Sequence, residues 1–181
     1  KKIIFSPRLL AKAVFADPDL TTGLPASITA ATGMDAVTHN VEAYLAKNFH
    51  PLCDGIALEG LRVCARSLVK AVESPADIGA RGDMLMGSMM GAIAFQKGLG
   101  ITHSCAHALG TVLDMHHGLA NGIMIDFALA HNVAAVDRFA TMATTVGLTD
   151  TTPAGFLAWL RDLKRKVGVP GALVRAVHLP L

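Results

Sequence analysis

Asp35 and His39 stand four residues apart, and His103, His107, His116 and His117 fall within a 15-residue stretch further along. Four of these side chains, Asp35, His39, His103 and His117, could set one carboxylate and three imidazoles around a single divalent ion. Residues i and i+4 of a helix share a face. Asp35 and His39 can therefore grip an ion from adjacent turns, and His103 and His107 stand in the same relation. His117 follows a turn at the start of a further helix, so it can approach from another direction. Such a donor set suits zinc or ferrous iron and leaves nickel and manganese open. Its chemistry is that of a Lewis acid. Taken singly, each residue has a plainer reading: an Asp/His pair at i,i+4 is commonly a surface ion pair, and a lone histidine on an apolar face a satisfied core residue. Clustering shifts the balance. Five of the eight histidines lie between positions 103 and 131, in the most apolar part of the chain, and burying that many imidazoles without a purpose is expensive.

Helices must position these groups. Hydrophobic residues make up 52 % of the 181 and charged residues 17 %, which is richer in apolar side chains than a typical small domain. The chain is long enough for one domain with a core of Leu, Ile, Val, Ala and Met, with apolar surface left over for a partner. In residues 1–24, Ile3-Ile4-Phe5 and Ala13-Val14-Phe15 are strand-like runs, and Asp17-Pro18-Asp19 and Gly23-Leu24-Pro25 are turn signals. From Pro25 onward helical spacing takes over, with Thr22 as a nearby cap. Gly33 interrupts the pattern, and a new turn is expected near Met34, where Met34, Val37, Val41 and Tyr44 mark an apolar stripe. Pro51 opens a long helix that Ser74-Pro75 ends. Another spans about 75–96, and its Gly87, Ser88, Gly91 and Ala92 predict a close-packed central helix, although Met84, Met86, Met89 and Met90 also suit a binding surface. Further helices are predicted from Ile101 to Leu113, from His117 to about Asn132, near 136–146 and near 152–167. The expected fold is all-α, a helical bundle with a short strand-like N-terminal segment.

Several function classes fall away. The net charge is +2, and Arg161, Lys164, Arg165 and Lys166 are expected to form a solvated helix face. No basic patch interleaved with aromatics points to nucleic acid. Cys53, Cys64 and Cys105 lack paired spacing, which favours a reducing cytoplasm over a disulfide framework. The longest run without Asp, Glu, Lys or Arg, Gly98 to Leu113, carries two histidines, which argues against a membrane span. Gly98-x-Gly100 lacks the third glycine and the preceding strand of a dinucleotide loop. Ser104 and Cys105 are expected to be packing residues, since neither sits in a nucleophile elbow.

Three blocks carry a family resemblance: Ala31-Thr32-Gly33-Met34-Asp35-Ala36-Val37-Thr38-His39 with Glu42-Ala43-Tyr44; Gly98-Leu99-Gly100-Ile101-Thr102-His103-Ser104-Cys105-Ala106-His107-Ala108-Leu109-Gly110; and His117-Gly118-Leu119-Ala120-Asn121. In order and spacing they resemble the C-terminal helical domain of the iron-containing (group III) alcohol dehydrogenases. Asp17-Pro18-Asp19-Leu20-Thr21 resembles the segment leading into that domain. The resemblance implies that Asp35, His39, His103 and His117 bind a catalytic Fe2+ or Zn2+. It implies that His107 lies beside the nicotinamide ring, as both a cofactor-binding and a catalytic residue that orients substrate or relays a proton. It further implies NAD(H) or NADP(H), a small alcohol or aldehyde as substrate, and a dimer or larger homo-oligomer.

Some positions depart from the family pattern. Ala108 and His116 stand where Pro is common, so His116 could compete with His117 for the ion. Ile125-Asp126 replaces the usual Leu-Pro, and Asp126 is expected to be a charge at an exposed turn. The family's N-terminal nucleotide-binding domain, with its Gly-Gly-Gly-Ser loop, has no counterpart. Residues 1–24 resemble its end, and residues 25–181 a metal-binding catalytic domain that stops before the family's last helix. The isolated chain is therefore expected to bind NAD very weakly and to show little dehydrogenase activity. Two rival readings are a metal-dependent hydrolase on a helical scaffold, against which the absence of a His-Asp dipeptide weighs, and a non-catalytic helical oligomerisation module.

Overall fold

In a computed structural model, which describes residues 6–133 and 138–173, the chain is helical as expected. The described helices are α1 (Ala26–Leu45), α2 (Pro51–Glu73), α3 (Ile78–Ala94), α4 (Ile101–Val112), α5 (His117–Asn132), α6 (Phe139–Thr145) and α7 (Pro153–Lys166). No strand occurs among the described residues. Ile3-Ile4-Phe5 lies outside them. Ala13-Val14-Phe15 is irregular, with Val14 69 % and Phe15 91 % exposed; strand propensity yields no strand without a neighbour to share its hydrogen bonds.

Short-range chemistry sets most helix ends. Pro51 occupies the first turn of α2, where its missing N–H is no loss, and His50 Nδ1 accepts from the Cys53 amide at 3.3 Å. Asp77 caps α3 by accepting from Ala80 N at 2.8 Å, and Thr152 caps α7 by accepting from Gly155 N at 3.1 Å. Thr22 does not cap α1. Its hydroxyl donates to the Asp19 carbonyl at 2.8 Å, within the preceding Pro18–Thr21 turn, and α1 starts behind Pro25 with no side-chain cap. Nor does Gly33 break α1, which runs through it without interruption. A Cβ there would collide with Leu68 Cδ1 of α2, so the glycine answers to a close helix crossing rather than to a turn.

α1 is the central element, packed against α2 and α3 on one side and α5 on the other, while α4 lies on α5 and α6 pairs with α7. Met34, Val37 and Val41 are fully buried and Tyr44 nearly so, joining Leu61, Leu68, Ile123, Ile125, Leu129, Phe139, Phe156 and Leu160 in one continuous core. Each such side chain contributes roughly 1.5–3 kcal/mol relative to exposure. α3 bears out the close-packed reading: a Cβ at Gly91 would stand 2.8 Å from His39 Cβ, and one at Gly87 would meet Cys64 Sγ. No described helix is long and apolar enough to cross a membrane.

Two buried charge groups join the helices. Lys97 Nζ, in the turn before α4, pairs with Asp54 of α2 and donates to the Tyr44 carbonyl of α1 at 2.9 Å. Arg138 closes the group from the start of α6, reaching Asp54 Oδ2 and the Tyr44 carbonyl at 2.8 Å each, with its guanidinium over the Tyr44 ring. The second group corrects two expectations. Lys164 is 1 % exposed and Asp126 3 %, so the basic run is not wholly solvated and Asp126 is not at an exposed turn. Lys164 pairs with Asp126 and donates to the Ile123 carbonyl at 2.9 Å, while Arg161 Nε donates to Asp126 at 3.0 Å. Leu160, Leu163 and Lys164 share the face that α7 lays along α5, so one cation of the run is carried inward to meet the carboxylate.

Burial pushes the Asp54 carboxyl up, but Lys97 and Arg138 outweigh it and hold the group below the usual carboxylate range. A depressed folded-state pKa gives stability that is present above the unfolded value near 3.8 and lost as pH falls through the folded one. Asp54→Asn is expected to destabilise the fold by about 3 kcal/mol at neutral pH, because Lys97 is left buried and unpaired. It should also flatten the acid limb of the stability profile below about pH 4. Urea unfolding across pH measures both; equal midpoints for variant and parent at pH 7 would show that the joint contributes nothing.

Candidate metal centre

α1 contributes Asp35 and His39 to the site, both half-buried, and α4 contributes His103, 4 % exposed. One ligand atom from each lies within 4.8 Å of the other two. α5 brings His117 to the same carboxylate: His117 Nε2 and His103 Nε2 each stand 3.6 Å from Asp35 Oδ1. The His39 and His103 rings stack at 4.7 Å, and His117 closes the third side with its ring 5.5 Å from that of His103. All four residues singled out from spacing thus come together, three in the tightest group and the fourth on their shared oxygen. Phe95 walls the site behind His39 at 5.1 Å. The first residues of α5 can come this near to α1 because residue 118 is glycine; a Cβ there would strike the Ala31 carbonyl oxygen.

Glu42, which the sequence analysis left without a role, organises the cluster. It lies one turn beyond His39 on the same face of α1, at i+7 from Asp35, and that spacing was the signal available. The first turn of α4 has no local side-chain cap. Glu42 supplies one from α1, accepting from the amides of Gly100 at 3.0 Å, Thr102 at 2.7 Å and His103 at 3.3 Å. A carboxylate at a helix N-terminus also complements the helix dipole. The same carboxylate accepts from His103 Nδ1 at 2.7 Å, which turns Nε2 toward Asp35. A second overlooked residue is Asn121, fully buried on α5, whose Nδ2 donates to Asp35 Oδ1 at 2.6 Å and to His117 Nε2 at 3.0 Å.

These residues fit a divalent ion. His103 Nε2 is buried without a hydrogen bond among the described residues and lies 3.6 Å from Asp35 Oδ1, which leaves it available to an ion that displaces its proton. It faces a carboxylate oxygen and two further imidazoles, and its other ring nitrogen is held by a carboxylate, the usual arrangement behind a metal-binding histidine. Burial, joined by His103 and His117, pushes His39 below its ordinary value against the pull of Asp35, favouring the neutral imidazole that a ligand needs. Burial pushes Asp35 up, but His103, His39, His117 and Asn121 together hold it down and ionised.

The other candidates separate. His107 lies one turn after His103, exposed, with its ring edge-on to His117 at 5.3 Å. It borders the cluster on the solvent side. His116 caps α5 through Nδ1, which accepts from Leu119 N at 3.4 Å, so that nitrogen serves the helix end. Ser104 is exposed and bonds back to the Gly100 carbonyl at 3.2 Å, so it is not a packing residue; Cys105 is half-buried. Asp126 points to α7, as described above.

Comparison with known proteins gives a consistent result. Residues 29–176 match the family described as Fe-containing alcohol dehydrogenase family, C-terminal. The chain is 40 % identical over 175 residues to a 4-hydroxybutyrate dehydrogenase of Cupriavidus necator, covering 91 % of this chain and 45 % of the relative. Among solved structures, a 1,3-propanediol oxidoreductase superposes with a TM-score of 0.84 at 36 % identity, covering 91 % of this chain and 45 % of that one. A sulfoacetaldehyde reductase of Bifidobacterium kashiwanohense in complex with NAD+ superposes at 0.80 with 27 % identity, covering 91 % and 47 %. The chain spans about half the length of the relatives it matches.

In metal-free protein, burial opposes a charge on His103, but the Asp35 and Glu42 carboxylates outweigh it and lift the imidazole from 6.5 to about 9. A raised folded-state pKa contributes stability that is full below about pH 6.5 and lost as pH rises through about 9. Nitrogen-detected NMR of the EDTA-treated protein should find one histidine titrating near pH 9, and Glu42→Gln should bring it down toward the ordinary range. A His103 ring that titrates alike in both proteins would remove Glu42 from this role.

Proposed function

Since the chain belongs to the Fe-containing alcohol dehydrogenase family, whose C-terminal part it matches over residues 29–176, we propose that it carries the metal centre of an NAD(P)-dependent alcohol dehydrogenase. On this reading Asp35, His39, His103 and His117 hold ferrous iron or zinc, and the sequence span 25–181 is the metal-binding unit. The observation that carries it is the buried Nε2 of His103, without a hydrogen bond among the described residues, facing Asp35 and flanked by His39 and His117. The ion, when bound, supplies Lewis acidity that lowers the pKa of an alcohol hydroxyl. Asp35 offsets part of the ion's charge, and Glu42 and Asn121 hold the ligands in orientation. His39, stacked between Phe95 and His103, narrows the site from one side.

His107 stands at the solvent side of the cluster, next to His117. It is placed to orient substrate beside a nicotinamide ring and to pass the hydroxyl proton to water, and imidazole is suited to that at neutral pH. The substrate is a small alcohol in one direction and an aldehyde in the other. The known relatives act on substrates as different as a hydroxy acid and a sulfonated aldehyde by name, so substrate choice belongs to residues around the ligands rather than to the ligands. A cytoplasmic location is supported by Cys53, Cys64 and Cys105, which are free thiols. A homo-oligomer is supported by the apolar surface at Phe49 and Leu52, 90 % and 76 % exposed.

Elemental analysis of purified wild-type protein is expected to find about one iron or zinc per chain, and His103→Ala to lose it. In the full-length protein, His107→Ala should keep its metal while turnover with alcohol and NAD falls about a hundredfold, the scale of a lost proton-transfer group. Equal metal content in wild type and His103→Ala would refute the ligand set. Unchanged turnover in His107→Ala would refute its role alone.

A further inference from the structure

Arg81 of α3 is a buried cation without a counter-charge among the described residues. It is 3 % exposed. Its Nε donates to the Pro75 carbonyl at 3.0 Å and its Nη1 to the Thr29 hydroxyl at 2.8 Å. Its Nη2 is buried with no partner. No carboxylate among the described residues pairs with it; Asp77, one helical turn earlier, is paired with Lys70 at 2.6 Å. A lysine in this position could shed its proton, but a guanidinium cannot. Its charge persists, and burying it unpaired carries a penalty.

Arg81 and Thr29 line a cavity of about 250 Å³ between α1, α2, α3 and the Pro18–Thr21 turn, where Leu24, Met84 and Leu85 supply apolar wall and Thr21, Thr32 and Ser88 supply hydroxyls. On α1 the cavity takes Thr29, Thr32, Gly33 and Ala36, a different face from the one that bears Asp35, His39 and Glu42. It is therefore separate from the metal centre. An enclosure of about 150 Å³ holds benzene; this cavity, open to solvent where Leu24, Thr32 and Ser88 are exposed, has room for a ligand of about four to six carbons.

We propose that this cavity binds a short aliphatic monocarboxylate, with its carboxylate on Arg81 and its alkyl chain among Leu24, Met84 and Leu85. A carboxylate accepts in the plane of a guanidinium and supplies the charge that the fold withholds. The apolar walls select a tail over a bare anion, and the guanidinium charge excludes amines. The site adds to the proposed dehydrogenase function without depending on it.

The test uses EDTA-treated protein, so that carboxylate binding to metal plays no part. Thermal melts with sodium butyrate are compared with sodium chloride and sodium phosphate at matched ionic strength. Butyrate near saturation should raise the midpoint by about 3 °C, whereas phosphate, chloride and butylamine should not. Arg81→Gln should abolish the shift. Ser88→Leu, which fills the cavity from its rim and leaves the guanidinium in place, should reduce it strongly and serves if Arg81→Gln does not fold. No shift with butyrate, an equal shift with chloride, or a shift that survives Ser88→Leu would overturn the proposal.

Discussion

The carboxylate of Glu42 is the constraint on which the site depends. It gathers three amides from the first turn of α4 and the Nδ1 proton of His103, so that one side chain of α1 starts a second helix and aims its histidine. Without it the first turn of α4 would present orphan amides to a buried position, and His103 could rotate its ring away from Asp35. The exchange is mutual: four donors keep the buried carboxylate ionised, below the ordinary glutamate range, against the desolvation that pushes it up. Asp35 and His39 need no such device, because α1 itself sets their spacing.

Around that point the bundle is dense in buried charge. Lys97 and Lys164 are each held by an aspartate and by a backbone carbonyl of a neighbouring helix. Such pairs add little net stability against well-packed apolar residues. They do demand one arrangement, since a shifted helix would leave an ammonium unpaired in a dry interior. The Asp54 group binds the end of α1 to the turn that launches α4, and the Asp126 group binds α5 to α7. Both therefore fix helices that deliver residues of the candidate metal centre. Arg81 differs in having no carboxylate partner among the described residues, which is why it stands out beside Lys97 and Lys164.

Family membership and geometry support one another at different scales. The superpositions fix the helical architecture, while the clustering of Asp35, His39, His103 and His117 emerges from side-chain positions in this chain. Each of the three resembling blocks brings residues to the cluster: Asp35 and His39 from the first, His103 from the second and His117 from the third.

Much of the molecule was legible in its sequence. Pro51 and Ser74-Pro75 marked helix ends through local backbone sterics, and α5 begins and ends where its pattern does. The four ligand candidates could be read because i,i+4 spacing and histidine clustering are local signals. The misreadings share a cause. Gly33 looked like a break, Lys164 and Asp126 like solvated charges, and Ala13-Val14-Phe15 like a strand, because each was judged by its neighbours in the chain. Glu42 and Asn121 stood in the resembling blocks but were given no role, because partners of theirs lie 58–61 and 86 residues away. Periodicity determines which residues share a helix face; only packing decides which faces meet, and a buried charge or orphan ring nitrogen takes its meaning from that meeting.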